Sequence, residues 1–186
     1  LKKIKSLIKT ISEESPKEAL LFFDGSLVFS FAEHLGEKEK EKYRTILKDI
    51  FTLSKIHRVA VVGFVDNSLA HDFTNALLNF QKKLKQSDVS NEPIPDSLLF
   101  DGVLRKWGDR SPVFSCLRKG VLSEKDKDNL NIYFCYIKTG VTTPPSRIEF
   151  PSWLFEDGLV EQMTFLVLAQ CVVGRGYPFV LKRAHD

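Results

Sequence analysis

Apolar residues fall along the chain in two patterns, three- and four-residue steps and short unbroken runs, and each pattern predicts a different element. Leu1, Ile4, Leu7, Ile8 and Ile11 recur at helical spacing while Lys2, Lys3, Lys5 and Lys9 fall mostly elsewhere, which predicts an amphipathic first helix. Ala19 to Phe23 is an unbroken apolar run, Asp24-Gly25-Ser26 follows it, and a second apolar run covers Leu27 to Phe31. A buried strand meeting a sharp turn is expected there. Glu37 to Ile56 collects Tyr43, Ile46, Leu47, Ile50, Phe51 and Leu53 on one face, predicting a second helix. Val59 to Val65 is too apolar for either side to be exposed and reads as a central strand. Asp66-Asn67-Ser68 suits a helix cap, and Leu69, Phe73, Leu77, Phe80 and Leu84 mark a third helix after it.

Gln86 to Pro95 is polar and proline-containing, a surface loop, after which Asp96 is expected to cap a short helix running through Leu104. Leu130 to Lys138 has strand composition, and Arg147-Ile148-Glu149-Phe150 is its expected partner across a loop holding Pro144 and Pro145. Leu159 to Val173 predicts a mostly buried helix, which Gly174, Gly176 and Pro178 break before a last helix begins. The sum is one mixed α/β domain over residues 1–186, with helices packed on a sheet and no internal repeat.

Composition agrees: 43% hydrophobic and 27% charged residues suit one globular domain with a sizeable core. A formal charge of +3 and a pI near 8.7 tilt the surface toward anionic partners, although ordinary solubilising charge explains them equally well. Cys116, Cys135 and Cys171 lack the paired spacing of a zinc or redox site and read as buried residues of a reduced, cytoplasmic protein. The apolar stretch Met163 to Val173 is too short to span a bilayer, so no membrane association is expected. The chain starts at Leu1 and stops at Asp186, about two turns into its last helix, and residues are expected to be missing at both ends.

Asp24 is the leading chemical candidate. A carboxylate ending an apolar strand, followed by a glycine that permits a tight turn, can hold a divalent cation, and enzymes that cut phosphodiester bonds need such groups. The competing reading is a plain Asp-Gly turn between two apolar runs. Asp66 is better explained by capping, and Asp101-Gly102 as a break in a helical pattern. From Gly174 to His185 the chain combines glycines, Tyr177, His185 and the basic residues Arg175, Lys182 and Arg183. Tyr177 at the start of the last helix and His185 about two turns along it can face one cleft, the alternative being a surface helix with a lone histidine. Arg110 and Arg147 are candidate phosphate contacts together with Arg175 and Lys182, although Arg147 and Glu149 share a strand face and can simply pair. His34, His57 and His71 have no metal-site spacing and are read as structural. No Walker loop, dinucleotide fingerprint, nucleophile elbow or zinc-protease helix is present.

The order of motifs resembles the NurA nuclease domain along essentially the whole chain. It runs through Leu20-Leu21-Phe22-Phe23-Asp24-Gly25-Ser26-Leu27, Val61-Val62-Gly63-Phe64-Val65, Trp107-Gly108-Asp109-Arg110-Ser111-Pro112-Val113-Phe114 and Arg147-Ile148-Glu149-Phe150-Pro151 to Gly176-Tyr177-Pro178 and Ala184-His185. The resemblance implies a ribonuclease-H-like fold, cleavage of DNA with Mn2+ or alternatively Mg2+, 5′ to 3′ exonuclease and single-strand endonuclease activity, and a homodimer working with a HerA-type hexameric translocase in DNA end resection. It also implies that Asp24 is the second catalytic aspartate and a metal ligand, His185 the histidine at the metal site, and Tyr177 the supporting tyrosine. The first aspartate and a glutamate of that pattern would lie upstream of Leu1, so residues 1–186 alone are expected to be inactive or nearly so. Two other readings remain: a non-catalytic dimeric adaptor of a DNA translocase with the same fold, and an unrelated α/β domain whose motifs coincide by chance. The last would give Asp24 and His185 no reason to meet.

Overall fold

A computed structural model describes residues 2–14, 19–28, 36–84, 93–116 and 131–186. Helix α1 (Lys2–Glu14) precedes strand β1 (Ala19–Asp24), helix α2 (Glu37–His57) and strand β2 (Val59–Val65). Helices α3 (Asp72–Lys83) and α4 (Asp96–Asp101) lead to β3 (Phe114–Ser115), β4 (Ile132–Ile137) and β5 (Ser146–Pro151). Helices α5 (Trp153–Glu156), α6 (Val160–Val173) and α7 (Phe179–His185) complete the chain.

The strands form a five-stranded mixed sheet in the order β1-β2-β5-β4-β3. β1 and β2 are parallel, as the long α2 crossover between them allows, and the remaining pairs are antiparallel. The expected mixed sheet flanked by helices is therefore present. Alternation of side chains along each strand divides the core in two. Val59, Val61, Ile132, Phe134 and Tyr136 face α1, α2 and α4, packing with Ile8, Leu47, Ile50, Phe51 and Phe100. Ala60, Val62, Phe64, Cys135, Ile137, Ile148 and Phe150 face the opposite layer, where Trp153, Met163, Val167, Cys171 and Leu181 lie. All three cysteines are free and buried.

Several local expectations change. β1 takes one end of the sheet and is half-buried rather than fully buried. Asp66-Asn67-Ser68 does not cap the third helix, which begins only at Asp72. The cap comes from Asp96, fully buried on α4: its carboxylate accepts from the backbone N–H groups of Phe73 and Thr74, each at 2.9 Å. That side chain therefore satisfies the orphan donors of another helix, not its own. On α3 the predicted apolar stripe is largely outward: Leu77, Phe80 and Leu84 are exposed, as is Leu69 before it. α6 is apolar but only half covered, with Phe165, Val172 and Val173 exposed. α4 ends at Asp101, short of the Leu104 expected, with the break falling at the Asp101-Gly102 pair read as interrupting the helical pattern. Leu1, residues 29–31 of the second apolar run, His34, Leu130 and most of the 86–95 loop lie outside the described residues. Among the described residues no helix is long and apolar enough to cross a membrane.

Candidate active site

The site forms where parallel β1 and β2 end. Alternation along β1 puts Asp24 on the same face as Leu20 and Phe22, which pack in the core layer that includes α6 and α7. Its register partner on β2 is Phe64. After α6 the chain turns back through Gly174-Arg175-Gly176-Tyr177, and Gly176 N–H donates to the Cys171 carbonyl at 2.8 Å. Tyr177 then rests edge-on against the Phe64 ring, centroids 5.3 Å apart. From there its hydroxyl donates to Asp24 Oδ1 at 2.7 Å. Leu181 is buried and anchors α7, and His185, one turn further on the same face, follows it to the sheet. His185 Nε2 lies 2.7 Å from Asp24 Oδ2.

Both oxygens of one carboxylate thus have a partner from the C-terminal segment. An ionised carboxylate accepts only, so the imidazole bond needs its proton on Nε2. Burial above all, then the hydrogen bond and charge of Asp24 and the charge of Asp66, push the Tyr177 phenol above its ordinary range. It stays protonated at neutral pH and remains a donor. Asp24 and His185 are each about half open to solvent, so an incoming ligand can reach them.

The loop after Asp24 is fastened to the sheet. Gly25 takes φ +114°, and its N–H donates to the Phe64 carbonyl at 2.9 Å. Glu149, fully buried on β5, accepts through Oε2 from Ser26 Oγ and Leu27 N–H, both at 2.7 Å. Through Oε1 it pairs with Arg147 Nε at 2.7 Å. Arg147 also meets Asp72 Oδ2 at 2.7 Å and lies 3.7 Å over the Phe134 ring.

Of the proposed phosphate contacts, Arg147 is only 1% exposed and engaged wholly inside the protein, so it reaches no DNA backbone in this arrangement. The pairing with Glu149 that their spacing permitted is the arrangement found. Arg110 is half-buried and donates to the Ser111 carbonyl at 2.9 Å. Arg175 and Lys182 are exposed on the segment that carries Tyr177 and His185. His57 bonds the Ser12 hydroxyl and His71 precedes α3. Glu149 was missed as a part of the site because it lies 123 positions from Ser26. Gly63 carried the one available signal, a glycine inside a β-branched run, which marks a close backbone approach.

A family model, the NurA domain, matches residues 8–186. The chain belongs to the NurA domain family. It is therefore a nuclease-family protein, and the cluster of Asp24, Tyr177 and His185 is read in that light. No curated protein and no solved structure matches the chain.

NurA-type chemistry implies a divalent cation, and the donor set can be tested for it. A carboxylate and an imidazole suit Mn2+ well and Mg2+ through the carboxylate. Among the described residues no group of three or more His, Cys, Asp or Glu side chains is placed to hold a metal. Asp24 and His185 fit as part of such a site, with further oxygen donors needed to complete the shell.

Proposed function

We propose that this NurA domain hydrolyses DNA phosphodiester bonds in a cation-dependent reaction, in which Mn2+, or Mg2+ in its place, displaces the Nε2 proton that His185 shares with Asp24 so that both side chains hold the cation, with Tyr177 orienting Asp24. The observation that carries the reading is the meeting of all three side chains, with both carboxylate oxygens bonded at 2.7 Å. Once bound, the cation would activate an attacking water and offset charge on the leaving oxygen. The protein's own part is to hold the carboxylate in one rotamer, keep a phenol protonated beside it, and leave the imidazole exposed to solvent. Arg175 and Lys182 are exposed on the same segment, which supports a role for them in meeting the phosphates flanking the scissile bond.

Family membership supports the finer reading: a 5′ to 3′ exonuclease and single-strand endonuclease, homodimeric, acting in the cytoplasm with a HerA-type hexameric translocase in end resection and double-strand break repair. The described residues contribute one carboxylate and one imidazole to the cluster, so residues 1–186 by themselves should cleave little.

Asp24→Ala in the full-length protein tests the proposal. Cleavage of labelled single-stranded and duplex DNA with Mn2+ should fall at least about a hundredfold while the translocase complex stays intact. Cleavage retained by that variant would favour a dimeric adaptor of the translocase.

A further inference from the structure

We propose that Glu149 is a positioning residue for Asp24, acting through the loop from Gly25 to Val28; the inference rests on the nuclease reading above. Asp24 is the last residue of β1, so the direction of its side chain depends on where the chain goes next. The chain does not run on as a strand. It folds over the end of β2, and Glu149 Oε2 takes the Ser26 hydroxyl and the Leu27 N–H at 2.7 Å each, with Val28 N–H at 3.4 Å. From the other side Tyr43 donates its hydroxyl to the Leu27 carbonyl at 3.2 Å.

The sheet is cut to fit this fold-back. Gly63 is the register partner of Glu149, and a Cβ on it would stand 2.8 Å from the Gly25 carbonyl oxygen and 3.0 Å from the Leu27 side chain. One strand position thus removes its side chain to admit the loop, and the position opposite supplies the acceptor that grips it.

A carboxylate suits this work because a single ionised oxygen accepts from several donors at once. Its burial is offset by Arg147, itself held by Asp72 and by Tyr136, whose hydroxyl accepts from Arg147 Nη1 at 3.3 Å. Buried ion pairs of this kind add little stability over apolar side chains of equal volume. Stability alone therefore gives no reason for the charges, whereas the loop geometry does.

The test removes the grip and its buried counter-charge together, and because Asp72 loses Arg147 equally in both Arg147→Met variants, the contrast between Met and Gln at position 149 isolates the grip. The double variant Arg147→Met with Glu149→Met should fold, exchange the Leu27 amide at least about tenfold faster, and lose kcat on DNA at least about tenfold, with KM changed less than about twofold. Its binding of Mn2+ alone, read by water-proton relaxation, should weaken by about threefold or more. Arg147→Met with Glu149→Gln restores an acceptor oxygen and should recover kcat to within about threefold of wild type. Ser26→Ala, which leaves the ion pair whole, should show a smaller loss of the same kind and decides the matter if the double variant does not fold. Wild-type kcat in the folded double variant, or in Ser26→Ala with a faster Leu27 amide, overturns the positioning role. Asp24→Ala is run alongside: full cleavage by it overturns the nuclease reading, whereas loss there beside an unaffected double variant overturns the role of Glu149 alone.

Discussion

His185 and Asp24 stand 161 positions apart in the chain and 2.7 Å apart in the fold. A reading in which the aspartate and histidine motifs coincide by chance gave them no reason to meet. Tyr177 takes the other oxygen of the same carboxylate, so a change in either C-terminal side chain is felt at one atom group. Tyr177→Phe keeps the ring on Phe64 and deletes one hydrogen bond. Cleavage should fall about tenfold with the melting temperature shifted by less than about 3 °C, whereas His185→Ala should cost about a hundredfold. Equal activity of Tyr177→Phe and wild type in single-turnover assays would remove the phenol from the site.

Gly174 sets the position of Tyr177. A Cβ built there falls 1.8 Å from the Tyr177 carbonyl oxygen, a backbone atom that cannot swing aside. Gly174→Ala must push the turn outward, at a stability cost of about 1–3 kcal/mol measured by urea unfolding. It should also reduce cleavage more than Tyr177→Phe does, since the whole turn carrying the phenol moves. A fully active Gly174→Ala would show that the tight turn is not needed for the site.

Asp96 joins helix and sheet. Besides the two α3 amides, its carboxylate accepts from the Thr74 hydroxyl at 2.6 Å and the Tyr136 hydroxyl at 3.3 Å. Asp96→Ala leaves these buried donors without a partner and is expected to destabilise the domain by about 2–4 kcal/mol, visible as a lower urea midpoint. A loss under about 0.5 kcal/mol would mean that α3 is held by other contacts.

Burial pushes the Cys135 thiol from 9.0 up to about 12, with Arg110 opposing part of that shift. The folded state therefore keeps this proton where the unfolded chain releases it. Its stability contribution is intact below pH 9 and is lost as pH rises from 9 toward 12. Between pH 7.5 and 10.5 the single group should account for about 2 kcal/mol of lost stability. Cys135→Ala should flatten that part of the profile, and an unchanged slope in urea melts would contradict the assignment. Cys171 and Tyr136, both pushed up to about 12 by burial, steepen the decline over the same alkaline range and remain in the variant.

Local pattern sufficed for most elements. Val59 to Val65 is apolar on both faces because both faces are covered, and its predicted bounds match β2. Arg147 and Glu149 share a face by the two-residue period of a strand, and they pair as that period allows. The third helix went differently: the cap expected at Asp66-Asn67-Ser68 is not used, because Asp96 reaches across from the next helix and starts α3 later. Capping by a distant carboxylate leaves no local signature.

The amino-acid order by itself determined where strands and helices form, that Asp24 closes a strand at a turn, and that Tyr177 and His185 lie near the two ends of one short helix. Those properties depend on neighbours within a few positions, through alternation, helical period and the conformational limits of glycine and proline. Only the tertiary structure decided that the last helix docks beside β1, that Glu149 grips the loop after Asp24, and that Arg147 turns inward instead of toward a phosphate. Each of these depends on which surfaces meet when the core closes, and burial of apolar area settles that over distances no short-range period can encode.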